Sequence, residues 1–216
     1  MINRDYILRM IEQLARFLQR ALLMKEAKEY HESVAEIKKA GKMFLGLSPE
    51  AMDTLSDNDL LRLWSVGSDL DAEKCALAAQ IFRTEGEIFE DQGDFDRAVA
   101  SYQKSLGLLT VTINFLKEKI PRELAASIDV LASRLRVDTI PPELQKKLFT
   151  TYGTLGNYAK AEDLLFVIVE EDPSFVPEGR QFYERLLKRT DDELVDGNLP
   201  RDEVLQSLAQ LNNLGA

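Results

Sequence analysis

Apolar residues recur along most of this chain at spacings of three and four, the period of a helix with one buried side. Over residues 1–28, Arg9, Glu12, Gln13, Arg16, Gln19 and Arg20 form one polar stripe. Ile7, Leu8, Ile11, Leu14, Ala15, Leu18 and Leu22 cover the opposite side, which is wide enough for more than one neighbour. A second helix is predicted over Tyr30–Leu45, with Val34, Ile37, Ala40 and Phe44 facing inward. Gly46 and the Leu47-Ser48-Pro49 step end it, because the residue before a proline is driven out of helical geometry. Ser48-Pro49-Glu50 and Ser56-Asp57-Asn58-Asp59 each start a short helix, with a hydroxyl to cap free N–H groups and acids that suit the helix dipole. Leu60, Leu61, Leu63 and Trp64 are expected to give the second of these a buried face.

From Asp71 to Asp91 the pattern is a long, Ala-rich helix interrupted only by Gly86, and Gly93 is placed to cap its C-terminus. The next helix runs from Asp96 to Lys119, and another fits Arg122–Arg136 before Pro141-Pro142. Helices follow over Pro142–Leu155, Ala159–Glu171 and Pro177–Lys188, and Leu199-Pro200 opens a last one through Leu211. Phe166-Val167-Ile168-Val169 is the most strand-like stretch, but its flanks keep the helical period. The predicted fold class is all-α.

One pattern occurs twice. Gln92-Gly93-Asp94-Phe95-Asp96-Arg97-Ala98 returns as Leu155-Gly156-Asn157-Tyr158-Ala159-Lys160-Ala161, so glycine, aromatic and alanine each recur 63 positions later. A fixed internal period marks a structural unit used more than once. In antiparallel helix pairs, small residues let the backbones approach and large ones fill the spaces beside them. Phe82, Gly86, Phe89, Gly93, Phe95, Ala98, Tyr102 and Leu106 stand at such positions in the first copy. Leu148, Tyr152, Gly156, Tyr158, Ala161, Leu165 and Pro173 stand there in the second. Tyr30, Ser33, Ile37 and Ala40 form a fainter echo, 65 positions before Phe95, Ala98, Tyr102 and Ser105. Phe149 occupies a normally small position in the second copy, which predicts a splayed helix pair there.

These residues resemble the tetratricopeptide repeat, a 34-residue helix pair. The N-terminal run Asp5–Leu14 also resembles the opening of a bacterial family of uncharacterised tetratricopeptide-like proteins. The resemblance implies antiparallel helix-hairpin repeats stacked into a short, right-handed, irregular solenoid. The spacings of 65 and 63 exceed 34, so each unit is followed by about 30 residues of other helix. The expected layout is one all-α domain over 1–216. Within it lie an N-terminal hairpin (1–48), short helices (49–70), the first clear repeat with an inserted helix (71–137), the second repeat (142–175) and capping helices (176–216). By resemblance the concave face is lined by one side of each first helix, here Gln80, Arg83, Glu87 and Glu90, then Glu143, Lys146 and Thr150. The residues that pack the repeats are Phe82, Gly86, Phe89, Gly93, Ala98, Tyr102, Tyr152, Gly156, Ala161 and Pro173.

Charge and composition narrow the functions. A net charge of −10 disfavours nucleic acid, whose binding depends on neutralising phosphates with Lys and Arg. The opening Met1-Ile2-Asn3-Arg4-Asp5 mixes charge at once, so no signal peptide is expected, and no run of about 18 apolar residues predicts a membrane span. One cysteine, Cys75, suits a reducing, cytoplasmic setting. Candidate chemistry is sparse. His31 is the only histidine, and the plainer reading is a solvated residue at a helix start. Cys75 reads as a small buried hydrophobe. No phosphate-binding glycine loop or His-Glu-x-x-His is present. Glu85, Glu87, Glu90, Asp91, Asp94 and Asp96 crowd one hairpin, and they read as a solvated face with some acids at helix starts.

The expected function is a non-enzymatic scaffold that binds a basic or mixed-charge peptide or partner helix, with no catalytic residue, cofactor or metal. The alternative is a homodimer formed through the apolar face of residues 7–24. Membrane attachment through Arg4, Arg9, Arg16 and Arg20, and an enzyme using the clustered carboxylates, rank behind both.

Overall fold

The helical periods of the sequence become twelve α-helices in the computed structural model, which describes residues 4–67, 69–117 and 120–214, with side chains between residues 12 and 213. They are α1 (Arg4–Glu26), α2 (Tyr30–Ala40), α3 (Pro49–Thr54), α4 (Asp57–Leu63), α5 (Ala72–Gln92), α6 (Phe95–Leu116), α7 (Arg122–Arg134), α8 (Pro142–Leu155), α9 (Tyr158–Glu171), α10 (Val176–Leu186), α11 (Asp191–Asp196) and α12 (Arg201–Leu214). A π-helical turn, Gly41–Leu45, prolongs α2. Two two-residue strands, β1 (Ser65–Val66) and β2 (Asp69–Leu70), pair antiparallel with Ser65 opposite Leu70. The chain divides into two compact units, residues 1–140 and 141–216. The fold is all-α.

Three hairpins are closed by the same turn. In α5–α6, Gly93 takes φ +85° and Asp94 takes φ −90°, ψ 75°. In α8–α9, Gly156 takes φ +77° and Asn157 takes φ −83°, ψ 65°. In α1–α2, Lys28 takes φ +62° and Glu29 takes φ −86°, ψ 63°. The hydrogen bonds agree as well. Asp94, Asn157 and Glu29 donate their N–H to Phe89, Tyr152 and Met24, five residues back, at 2.8, 2.9 and 2.9 Å. Each is the six-to-one bond of a left-handed C-terminal cap, which satisfies a carbonyl the helix end would otherwise leave free. So the faint N-terminal echo folds into the same turn as the two clear copies, with a lysine where they have glycine.

Small residues fill equivalent positions beyond each turn. Ser33, Ala98 and Ala161 are all buried, and the Ser33 hydroxyl donates to the Ala21 carbonyl at 2.6 Å. Gly86 accommodates Tyr102: a Cβ there would lie 2.6 Å from two ring carbons. In the second unit the corresponding Phe149 is buried, its ring edge-on to Phe175 and Phe182 at centroid distances of 5.6 and 5.2 Å.

Two expected core residues are exposed. Phe95 is 66% exposed, although Tyr158 at the matching position is buried. Tyr158 is covered because the backbone at Gly197 closes over it, with Ala159 N–H donating to the Gly197 carbonyl at 3.1 Å. Leu63 is 59% exposed because α4 buries Leu60 and Trp64 instead. The predicted end of α6 at Lys119 lies outside the described residues, as do the side chains of Arg4, Ile7, Leu8, Arg9 and Ile11. Helix α11 was not predicted; a reciprocal capping box starts it, with Thr190 and Glu193 each bonding the other's backbone N–H. Those bonds hold the Glu193 carboxyl below the usual carboxylate range. Arg201 finishes α10, donating to the carbonyls of Leu187 and Arg189 at 3.1 and 2.6 Å.

Candidate functional site

Helix α5 carries four of the predicted groove residues, and its neighbours decide which remain accessible. On one flank, α7 packs against α6 and leaves only about 10 Å³ of apolar gap, lined by Ala79, Gln80, Arg83, Leu124 and Leu131 among others. On the other flank, α1 stands off enough to leave an open cleft of about 290 Å³. Ala15, Leu18, Gln19 and Leu22 form one wall, and Gln80, Arg83, Thr84 and Glu87 form the other. Arg83 Nε donates to Glu87 Oε1 at 3.0 Å, four residues along the same helix, so the polar wall presents both charges.

Glu90 does not belong to this wall. Its Oε2 accepts the Tyr102 hydroxyl at 2.7 Å and also pairs with Arg134 of α7. Burial and the Glu90 carboxylate together push the Tyr102 hydroxyl well above its ordinary pKa. Helix α7 thus ties up the fourth predicted groove residue.

Glu143, Lys146 and Thr150 lie on α8 in the second unit. Lys146 Nζ bridges Glu143 Oε1 at 3.3 Å and Asp172 Oδ2 at 3.1 Å, and the Thr150 hydroxyl donates to the Lys146 carbonyl at 3.1 Å. Ser174 and Lys146 together hold the Asp172 carboxyl low. Asp172 sits beside Pro173, which is exposed and opens a 3₁₀ turn.

The acid-rich hairpin is mostly spoken for, and one member corrects the sequence expectation of a solvated face. Glu85 is 3% exposed. Lys38 Nζ reaches its Oε1 at 2.8 Å, and the Ser101 hydroxyl donates to its Oε2 at 3.0 Å. A buried carboxylate requires such partners, because an unpaired buried charge costs several kcal/mol, roughly 3–5 when a partner is removed. Lys38 also meets Asp53 at 2.5 Å, and Lys104 donates to the carbonyls of Met52 and Asp53 at 2.8 and 3.2 Å. Burial lowers the Lys104 pKa, with the nearby Lys38 charge adding to the effect. Beside this cluster lies a cleft of about 190 Å³, lined by Phe89, Arg97, Ser101 and Lys104 among others. The bonded pairs of the cluster are 15 to 52 positions apart in sequence, so no local motif signals it. Asp91 accepts the Tyr30 hydroxyl at 3.0 Å, and Asp94 caps α6 through the Arg97 N–H at 3.3 Å.

The lone histidine and cysteine fall where expected. His31 is exposed in the first turn of α2. Cys75 is fully buried in α5, and burial, assisted by Asp71, pushes its thiol up to about 12. Among the described residues, no three His, Cys, Asp or Glu side chains converge as a metal set, and no helix is long and apolar enough to cross a membrane. On α1, Leu14, Leu18 and Ala21 are consumed by the core of the first unit, and among its described side chains Leu23 is the large apolar one left exposed.

No curated protein and no solved structure matches the chain. A family model does, over residues 1–215, and the chain belongs to that family of unknown function, DUF6483.

Proposed function

We propose that this protein is a non-enzymatic, tetratricopeptide-like helical scaffold of the cytoplasm, and that it takes a short basic or mixed-charge protein segment into the cleft between α1 and α5. The cleft itself carries the proposal. Three residues singled out on α5 by the repeat pattern, Gln80, Arg83 and Glu87, line one wall, and the apolar Ala15, Leu18 and Leu22 face them. An apolar wall that accepts side chains and a charged wall that fixes their orientation are what helix-in-groove recognition uses. At about 290 Å³ the open cleft suits a few side chains of a larger partner better than an engulfed small molecule, whose pockets run from about 300 Å³ upward and are more enclosed. The repeat character is supported by the shared turn at Lys28, Gly93 and Gly156. The lone buried thiol of Cys75 suits a reducing compartment.

Selection of a random peptide library on the purified protein tests this. The expected result is enrichment of a short consensus with apolar residues beside Lys or Arg, whose binding falls several-fold with Glu87→Lys and with added salt. Failure to enrich any consensus, or a consensus indifferent to Glu87→Lys, overturns it.

A further inference from the structure

A second cleft on the first unit has the opposite electrical character. It measures about 570 Å³ and is lined by Gln13, Arg16, Phe17, Gln19, Arg20, Met43 and Phe44. No carboxylate is among these residues, in a chain whose net charge is −10. Glu36, beside it, is buried and already engaged: Arg20 approaches its Oε1 to 2.7 Å and Lys39 its Oε2 at 3.2 Å. Two cations therefore share one carboxylate at the rim, and Arg16 adds a third, leaving a local excess of positive charge. The floor is aromatic. Phe17 and Phe44 meet edge to face at 5.5 Å, and the Arg20 guanidinium lies 4.5 Å from the Phe17 ring centre, so that charge is held in place. Met43 projects at the edge, 66% exposed, from the π-helical turn Gly41–Leu45. Methionines recur on adaptable binding surfaces, and π-helical turns recur at functional sites.

We propose that this cleft docks an acidic amphipathic segment of a partner protein. An apolar side chain of the partner enters between Phe17 and Met43, and flanking Asp or Glu residues meet Arg16, Arg20 and Lys39. Charge complementarity sets the sign of the partner, and concavity sets its kind. A bilayer surface is engaged by apolar side chains that protrude from a helix, whereas a recess between side chains receives a protruding group. The site shares only Gln19 with the α1–α5 cleft, which has its own acid and prefers basic or mixed charge.

The probe is a synthetic amphipathic peptide of roughly 14 residues, with Leu at i, i+3, i+4 and i+7 and Glu elsewhere. It is labelled and titrated with the full chain by fluorescence anisotropy. Saturable micromolar binding is expected, weakened at least about fivefold between low and physiological salt. Arg16→Glu and Met43→Asp should each weaken it about tenfold, while a Lys-for-Glu version of the peptide should not compete for the site. Arg20 is left unchanged because the buried Glu36 depends on it, and both chosen variants alter exposed side chains. Glu87→Lys should leave this binding intact, which separates it from the α1–α5 cleft. The proposal is overturned if the acidic peptide does not saturate, if the basic peptide competes equally, or if neither variant changes the titration. Two further outcomes also overturn it: Arg16-dependent binding to phosphatidylserine vesicles in place of the peptide, and an Arg16-dependent dimer in sedimentation.

Discussion

Replacing Lys28 by glycine is expected to make the protein more stable, although a charged, well-hydrated residue is lost. Lys28 stands at φ +62°, in the left-handed region that the two matching turns fill with Gly93 and Gly156. A residue with a Cβ is disfavoured there by roughly 1–2 kcal/mol. Glycine removes that strain but gives back about 0.5–1 kcal/mol through the larger freedom of the unfolded chain. Lys28 is exposed and caps nothing with its side chain, so no packing is lost. The balance is a gain of about 0.5–1 kcal/mol, or a rise of about 1–4 °C in Tm for a chain of this size. The mirror substitutions, Gly93→Ala and Gly156→Ala, should each lose about 1 kcal/mol by the same arithmetic in reverse. Urea unfolding followed by far-UV circular dichroism reads all three as shifts of midpoint at constant slope. A lower midpoint for Lys28→Gly, or an unchanged one for Gly93→Ala, would refute the claim that the three turns are equivalent.

Further substitutions test the packing and the buried charges. Gly86→Ala should cost about 1–3 kcal/mol, because its Cβ would enter the Tyr102 ring, whereas Gly153→Ala meets Phe182 at an ordinary 3.6 Å and should gain up to about 1 kcal/mol of helix propensity. Lys38→Met leaves Glu85 buried without its cation and should cost about 3 kcal/mol in the same assay. Stability should fall between about pH 9 and pH 12. Folding raises the Cys75 thiol and the Tyr102 and Tyr183 hydroxyls, so the unfolded chain releases these protons first and is favoured as pH climbs. A midpoint that stays flat or rises over that range contradicts the burial of these groups. Consistently, native Cys75 should resist alkylation at neutral pH and react once the protein is unfolded in denaturant.

The positions of the helices were legible wherever local chemistry punctuated them. Gly93 and Gly156 announced their turns, and Ser56 and Pro142 announced starts. Lys28 concealed an identical turn, since lysine carries no signal for a positive φ. Helix α11 was missed even though Thr190-Asp191-Asp192-Glu193 spells a capping box of the kind that starts α4. The β1–β2 ribbon is shorter still. At the candidate site, Gln80, Arg83 and Glu87 were indicated by the resemblance to the tetratricopeptide repeat. What lies across from them was not: α1 opposite Gln80, Arg134 on Glu90 and Lys38 on Glu85 are all long-range pairings that tertiary packing selects. Phe95 shows the same limit from the other side. Its position in the repeat matches that of Tyr158, but only Tyr158 has a neighbour such as Gly197 to cover it.

The proposed binding at the cleft between α1 and α5 is tested most directly by hydrogen exchange of the full chain with and without a peptide selected on it. Slowed exchange confined to residues 15–22 and 80–87, and lost with Glu87→Lys, is the predicted result. Protection that falls elsewhere, or that persists unchanged in Glu87→Lys, would contradict it.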